Sequence, residues 1–156
     1  MADVVRRATG ADADGIVALG AEVVPATYGP LSPEYATWCL QRWWSPDQVA
    51  TSLDDLPHWV AETDGRVVGV ANLGQVDGDA VMWKLYVHPD RQGHGLGSAL
   101  LGEVEAAAGP VLRLEHLAGN DRAAAFYRAH GFHETHRTVF DAFPDLTWVW
   151  MRKDLP

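Results

Sequence analysis

Cysteine is nearly absent. One residue, Cys39, stands among 156, so no internal disulfide can form, and a reducing, cytoplasmic setting is the expectation. Positive charge is also scarce: 12 basic residues face 21 acidic ones, for a formal charge of −9. A nucleic-acid binder needs a basic face, so no nucleic-acid partner is expected, while a cationic small molecule suits the balance. Long apolar runs are missing. No stretch approaches the ~20 apolar residues of a membrane span. The opening "MADVVRRATGADADG" lacks the apolar stretch of a signal peptide, and no membrane partner is expected. No repeat, low-complexity tract or linker interrupts the chain, and residues 1–156 are expected to form one domain.

Hydrophobic residues make up 47% of the sequence, enough for an ordinary core. "VVRRA" reads as a strand. "DADGIVALGAEVV" reads as a helix, capped by Thr9 or Asp12 and broken by Pro25, Gly29 and Pro30. Ser32-Pro33-Glu34 and Ser45-Pro46-Asp47 each combine an N-cap, a first-turn proline and an acid, so two more helical segments begin there, the second ending near Leu53. Asp64-Gly65 and Asp77-Gly78 are hairpin turn pairs between "HWVAET", "VVGVANLG" and "AVMWKLYV". A helix over "LGSALLGEVEAAA", a strand over "VLRLEHL" and a helix over "NDRAAAFYRAH" follow, the last stopped by Gly131. "FHETHRTVF" and "LTWVWMRK" close the chain as strands. The order predicts an α/β domain: a central mixed, mostly antiparallel sheet of about seven strands flanked by about four helices.

"VHPDRQGHGLGSALL", residues 87–101, places Gly93, Gly95 and Gly97 at alternate positions before a helix. Glycine lets a ligand approach the main chain, and amides at a helix N-terminus favour phosphate. A tight turn without a ligand is the plain alternative. A Walker loop needs Gly-Lys-Ser/Thr, and no lysine is present. Gly93-x-Gly95-x-x-Ser98 nearly fits a dinucleotide loop, with Glu115 about twenty residues on. Five residues, however, separate that loop from its strand, and little chain remains for further βαβ units.

Gln92-x-x-Gly95-x-Gly97, within "LYVHPDRQGHGLGSALL", resembles the Q/R-x-x-G-x-G/A loop of the GCN5-related N-acetyltransferases. "NDRAAAFYRAHGF" is similar to that family's second signature, and "VVRRATGADADGIVAL" and "WVWMRKDL" to its opening and closing elements. Only residues 25–56 are poorly matched. The resemblance implies two splayed parallel strands, "AVMWKLYV" and "VLRLEHL", with the pantetheine arm of acetyl-CoA between them. It implies that Leu85 and Val87 offer backbone groups to that arm, the Val87 N–H polarising the thioester carbonyl. Gln92, Gly93, His94, Gly95, Leu96, Gly97 and Ser98 would hold the phosphates, and Asn120 the arm. His94 replaces the usual lysine or arginine, with Arg91 a candidate to compensate.

Tyr127 is the implied general acid. Thiols titrate near 8.5 and tyrosine near 10, so donation is uphill by only about 2 kcal/mol. Plain packing of Phe126-Tyr127 is its alternative. An alkyl ammonium at pH 7 has only about one free amine in 2,500, a handicap of ~4.6 kcal/mol, so a base is wanted. His88, Glu115, His116 and Glu22 are candidates, with a water relay equally open. Trp38, Trp43 and Trp44 fall in the segment similar to the family's acceptor wall. With Tyr28 they form a cage for a cation, or else fill core or a homodimer contact. Tyr28, Trp38 and Glu22 are the expected acceptor-binding residues. A zinc site at His130, His133 and His136 is disfavoured, because the last two point to opposite faces of a strand. The expected activity is acetyl-CoA-dependent transfer of an acetyl group to a primary amine of a small molecule or peptide, by direct attack in a ternary complex. The alternative is a non-catalytic acyl-CoA sensor on the same fold.

Overall fold

The computed structural model describes residues 2–156. Turn chemistry sets the first hairpins. Asp64 and Gly65 lie at φ 51° and 83°, and Asp77 and Gly78 at 53° and 85°, the pattern of a two-residue type I′ turn. The first joins β2 (His58–Thr63) to β3 (Arg66–Asn72), and the second joins β4 (Gly74–Val76) to β5 (Asp79–Met82). Strand β1 (Asp3–Arg7) pairs antiparallel with β2.

Capping sets the helices. Thr9 and Asp12 form a reciprocal capping box ahead of α1 (Ala13–Tyr28). Ser32 and Ser45 accept the N–H groups of Tyr35 and Gln48 and open α2 (Pro33–Trp43) and α3 (Pro46–Asp55). One expectation is corrected here: α1 runs through Pro25. The proline forfeits one N–H bond, but Ile16, Leu19, Val23, Val24 and Tyr28 are all buried along this helix, and that burial outweighs the loss.

The rest comprises β6 (Leu85–Val87), α4 (Leu96–Ala108), β7 (Val111–Leu117), α5 (Asp121–Ala129), β8 (His133–Phe140) and β9 (Phe143–Asp154). Among the described residues this gives nine strands and five α-helices. The excess over about seven strands arises because the run from Val67 divides at Leu73, and "AVMWKLYV" divides at Trp83-Lys84. Asn72 links the two breaks. Its side-chain oxygen accepts the Lys84 N–H at 2.7 Å, and its own N–H donates to the Lys84 carbonyl at 3.1 Å. The strands sort into a four-stranded sheet, β1-β2-β3-β6, and a five-stranded sheet, β4-β5-β7-β9-β8.

The division opens the molecule. Strand β5 runs parallel to β7 from Ala80–Leu112 to Met82–Leu114. The chain then crosses to β3, which β6 pairs antiparallel. Beyond Met82 and Leu114 the sheet is splayed. Leu100, Leu101, Val104, Leu112, Leu114 and Tyr127 fill a core on the α4–α5 side, while Ile16, Val23, Val49, Val60 and Leu117 fill another beneath α1–α3. No helix among the described residues is long and apolar enough to cross a membrane.

The tryptophan-rich segment does hold a cation, and it is the chain's own. Lys84 Nζ lies 4.0 Å from the centroid of the buried Trp44 ring and donates to the Trp43 carbonyl at 3.3 Å. Burial lowers its pKa to about 8. An unfolded lysine titrates near 10.4, so below about pH 8 the folded state carries the full cost of the buried charge, ~3 kcal/mol. Stability therefore rises between about pH 8 and pH 10. Lys84→Met is expected to stabilise the protein by about 1–3 kcal/mol at neutral pH, with the advantage fading above about pH 10. Urea unfolding at both pH values checks this.

Candidate functional site

The splay between β6 and β7 forms the floor of a cavity of about 700 Å³. Its chemistry starts with the register of β6. His88 N–H donates to the Val68 carbonyl, and Lys84 exchanges bonds with Asn72. Alternation along an antiparallel ladder then turns the backbone groups of Lys84, Tyr86 and His88 toward β3, and those of Leu85 and Val87 away from it, into the opening. The Val87 carbonyl is taken by the Gln92 side-chain amide at 3.1 Å. The N–H groups of Leu85 and Val87 and the Leu85 carbonyl remain for a guest.

The glycine loop supplies the next wall. Gly93 and Gly95 lie at φ 82° and 80°, a region costly for residues with a Cβ. Gly95 is the N-cap of α4 and provides no side-chain cap. The N–H groups of Leu96, Gly97 and Ser98 therefore lack intrahelical partners, and the first helical bond is Ala99 N–H to the Gly95 carbonyl. Gly93, Gly95, Leu96, Gly97 and Ser98 all line the cavity. A helix terminus with free amides of this kind can accept an anion.

Strand β7 delivers two ionisable groups to opposite faces. Alternation places His116 with Leu112 and Leu114 on the α5 side, and Glu115 with Leu117 on the α1 side. His116 stacks on Tyr127, with centroids 6.3 Å apart and planes at 24°. Its Nδ1 lies 3.2 Å from the Leu117 carbonyl, and burial depresses its pKa. Its buried Nε2 has no partner among the described residues. Glu115 has its pKa raised by burial to about 7. Burial also holds the Tyr127 hydroxyl well above its ordinary value, so it stays protonated at any working pH. Across from Glu115, Tyr28 and Tyr86 share a hydroxyl hydrogen bond of 2.6 Å. Asn120 caps α5 through its side-chain oxygen, which leaves its NH₂ group for the cavity.

The cavity thus gathers Leu85, Val87, Gln92, Gly93, Gly95, Leu96, Gly97, Ser98, Glu115, His116, Asn120, Tyr127 and Tyr28. Four expected site residues lie outside it. His88 is buried, accepts the Asp90 N–H at Nδ1 and meets the Glu22 carboxylate with Nε2. Glu22 is held between His88 and Arg66 and lines a separate surface groove. These two brace the end of β6. Trp38 packs among Tyr35, Trp43, Phe140 and Phe143. His94 is exposed and bonds its ring to the Gln92 carbonyl. Arg91 reaches the cavity, but its guanidinium is clamped to both Asp3 carboxylate oxygens at 2.7–2.8 Å, which neutralises the charge meant to replace a loop lysine. The exposed Arg122 on α5 also lines the cavity, outside the expected set. Trp83, 40% exposed at the rim, was also missed.

Comparison with known proteins places this arrangement. A profile described as "Acetyltransferase (GNAT) domain" matches residues 54–134. Peptidyl-lysine N-acetyltransferase YjaB of Escherichia coli is 31% identical over 138 residues, covering 88% of this chain and 86% of that protein. Mycothiol acetyltransferase of Frankia casuarinae is 42% identical over 80 residues, 51% of this chain but only 22% of that longer protein. Among solved structures, PaiA N-acetyltransferase from Thermoplasma acidophilum, in complex with coenzyme A, superposes with a TM-score of 0.81 at 20% identity, covering 99% of each chain.

Proposed function

Because this chain belongs to the GNAT acetyltransferase family, we propose that it transfers an acetyl group from acetyl-CoA to a primary amine by direct attack in a ternary complex. The observation that carries this reading is the meeting, in one splayed cavity, of an unpaired strand edge, an uncapped helix terminus, a carboxyl poised near neutrality and a buried tyrosine. The cavity fits an extended thioester carrier. Leu85 and Val87 would bond its arm as a strand would. The amides of residues 96–98, with Arg122 nearby, would face its diphosphate. Asn120 would bond the arm from α5. Bound acetyl-CoA supplies an activated acetyl group.

The chain's own groups divide the proton work. Glu115, on the α1 face, takes a proton from the incoming ammonium. The Val87 N–H, turned away from β3, would polarise the thioester carbonyl oxygen where charge develops. Tyr127, on the α5 face, donates a hydrogen bond and then its proton to the departing sulfur. Its raised pKa makes that donation costlier, but a thiolate in the same dry site is raised as well, so the gap between them stays small. Tyr28, Tyr86 and Trp83 border the acceptor side. The extended likeness to a peptidyl-lysine acetyltransferase makes a lysine ε-amine the first acceptor class to examine.

Thiol release from acetyl-CoA, screened against small amines, amino acids and lysine peptides, tests the reading. Release with one class supports transfer. Tight acetyl-CoA binding with no release across the whole panel supports the sensor instead. Gly95→Val forces a β-branched residue into the left-handed region, at a cost of about 1–3 kcal/mol. It is expected to weaken acetyl-CoA binding at least tenfold by calorimetry.

A further inference from the structure

Ser98, in the first turn of α4, lines the cavity where the diphosphate would lie. Its hydroxyl is already engaged: Oγ lies 2.9 Å from His130 Nε2. The other ring nitrogen, Nδ1, lies 2.8 Å from the Phe126 carbonyl. A carbonyl only accepts, so Nδ1 must carry a hydrogen. In the neutral ring Nε2 is then bare, and the one partner it can accept from is the Ser98 O–H. Ser98 in that state turns its proton away from the cavity and presents lone pairs to an incoming anion. A protonated His130 reverses the bond: Nε2–H donates to Ser98 Oγ, and the hydroxyl proton is freed for a phosphate oxygen.

We propose that His130 takes up a proton from solvent when a diphosphate-bearing ligand binds, and so acts as a positioning residue for Ser98. The inference rests on the acetyl-CoA reading of the cavity. Two features of the surroundings bear on the ring. It caps the C-terminal end of α5, where the helix carbonyls accumulate, a place that stabilises cations, and the ligand it faces through Ser98 is an anion. The charged groups around it are Arg122 and Arg128 on α5, and Lys153 on β9, which packs beside Gly131 and is paired with Glu105 of α4 at 2.9 Å. The Phe126 ring, with its centroid 4.2 Å from that of the imidazole, fixes the plane.

Calorimetric titration of CoA near pH 7, in buffers of different ionisation heat, reads the protons bound. The wild type is expected to take up a measurable fraction of a proton more than His130→Gln, whose amide donates to Ser98 without titrating. His130→Phe, which keeps the ring stack, is expected to bind CoA about tenfold more weakly. The same variant should turn over S-acetylpantetheine, which lacks the diphosphate, at an unchanged rate. Equal proton uptake in wild type and His130→Gln overturns the inference, and so does an equal loss with both thioesters in His130→Phe. A wild type that binds CoA without the extra proton leaves the cavity reading standing, whereas one that binds no CoA overturns both.

Discussion

Glu115→Gln is expected to lower kcat/KM at neutral pH by up to about a thousandfold, the scale set by the scarcity of free amine, roughly one in 2,500 at pH 7. The carboxyl is raised to about 7 by burial alone, so wild-type activity should climb as pH rises through that value and the carboxylate forms. In the variant that inflection disappears. Its rate follows the free amine instead, so the deficit narrows toward about pH 10. Stability moves oppositely. A carboxyl with a raised folded pKa favours the folded state below its unfolded value, near 4.3, and loses that advantage as pH rises through about 7. Glu115→Gln should remove this loss. A variant with the wild-type pH profile would strike Glu115 from the chemistry.

Tyr127→Phe is expected to reduce kcat by about a hundredfold or more, with acetyl-CoA affinity little changed. The ring packs between His116 and Phe132, and phenylalanine preserves those contacts. Only the hydroxyl is lost, so the effect should fall on expulsion of the sulfur. A thioester with a more acidic thiol leaving group should recover much of the rate, because it depends less on protonation. Equal losses with good and poor leaving groups would assign Tyr127 to packing.

Local chemistry made much of this legible in advance. Ser32-Pro33 and Ser45-Pro46 open helices because capping is decided within four residues, and Asp64-Gly65 and Asp77-Gly78 make turns for a similarly short-range reason. Gly93, Gly95, Gly97, Asn120 and Tyr127 line one cavity, the grouping that the family resemblance implied. What escaped depends on partners far along the chain. Pro25 is carried inside α1 by tertiary burial. "AVMWKLYV" reads as one strand, and only the Asn72–Lys84 clamp divides it. Glu22 and His88 satisfy each other across 66 residues of sequence, and Arg91 is spent on Asp3. No window of ten residues contains either pair, so charge alone made Glu22, His88 and Arg91 look available. Glu115, by contrast, stands out among the base candidates only once its burial is known.

Among the described residues no main-chain bonds join β6 to β7, so the molecule has a seam along the floor of the candidate site. A guest held in that seam as proposed would act mechanically as a rivet, gripping main chain on one half and side chains on the other. Turnover would then require the rivet to be pulled after every cycle. Cohesion and product release compete for the same contacts, and whatever speeds the second must loosen the first.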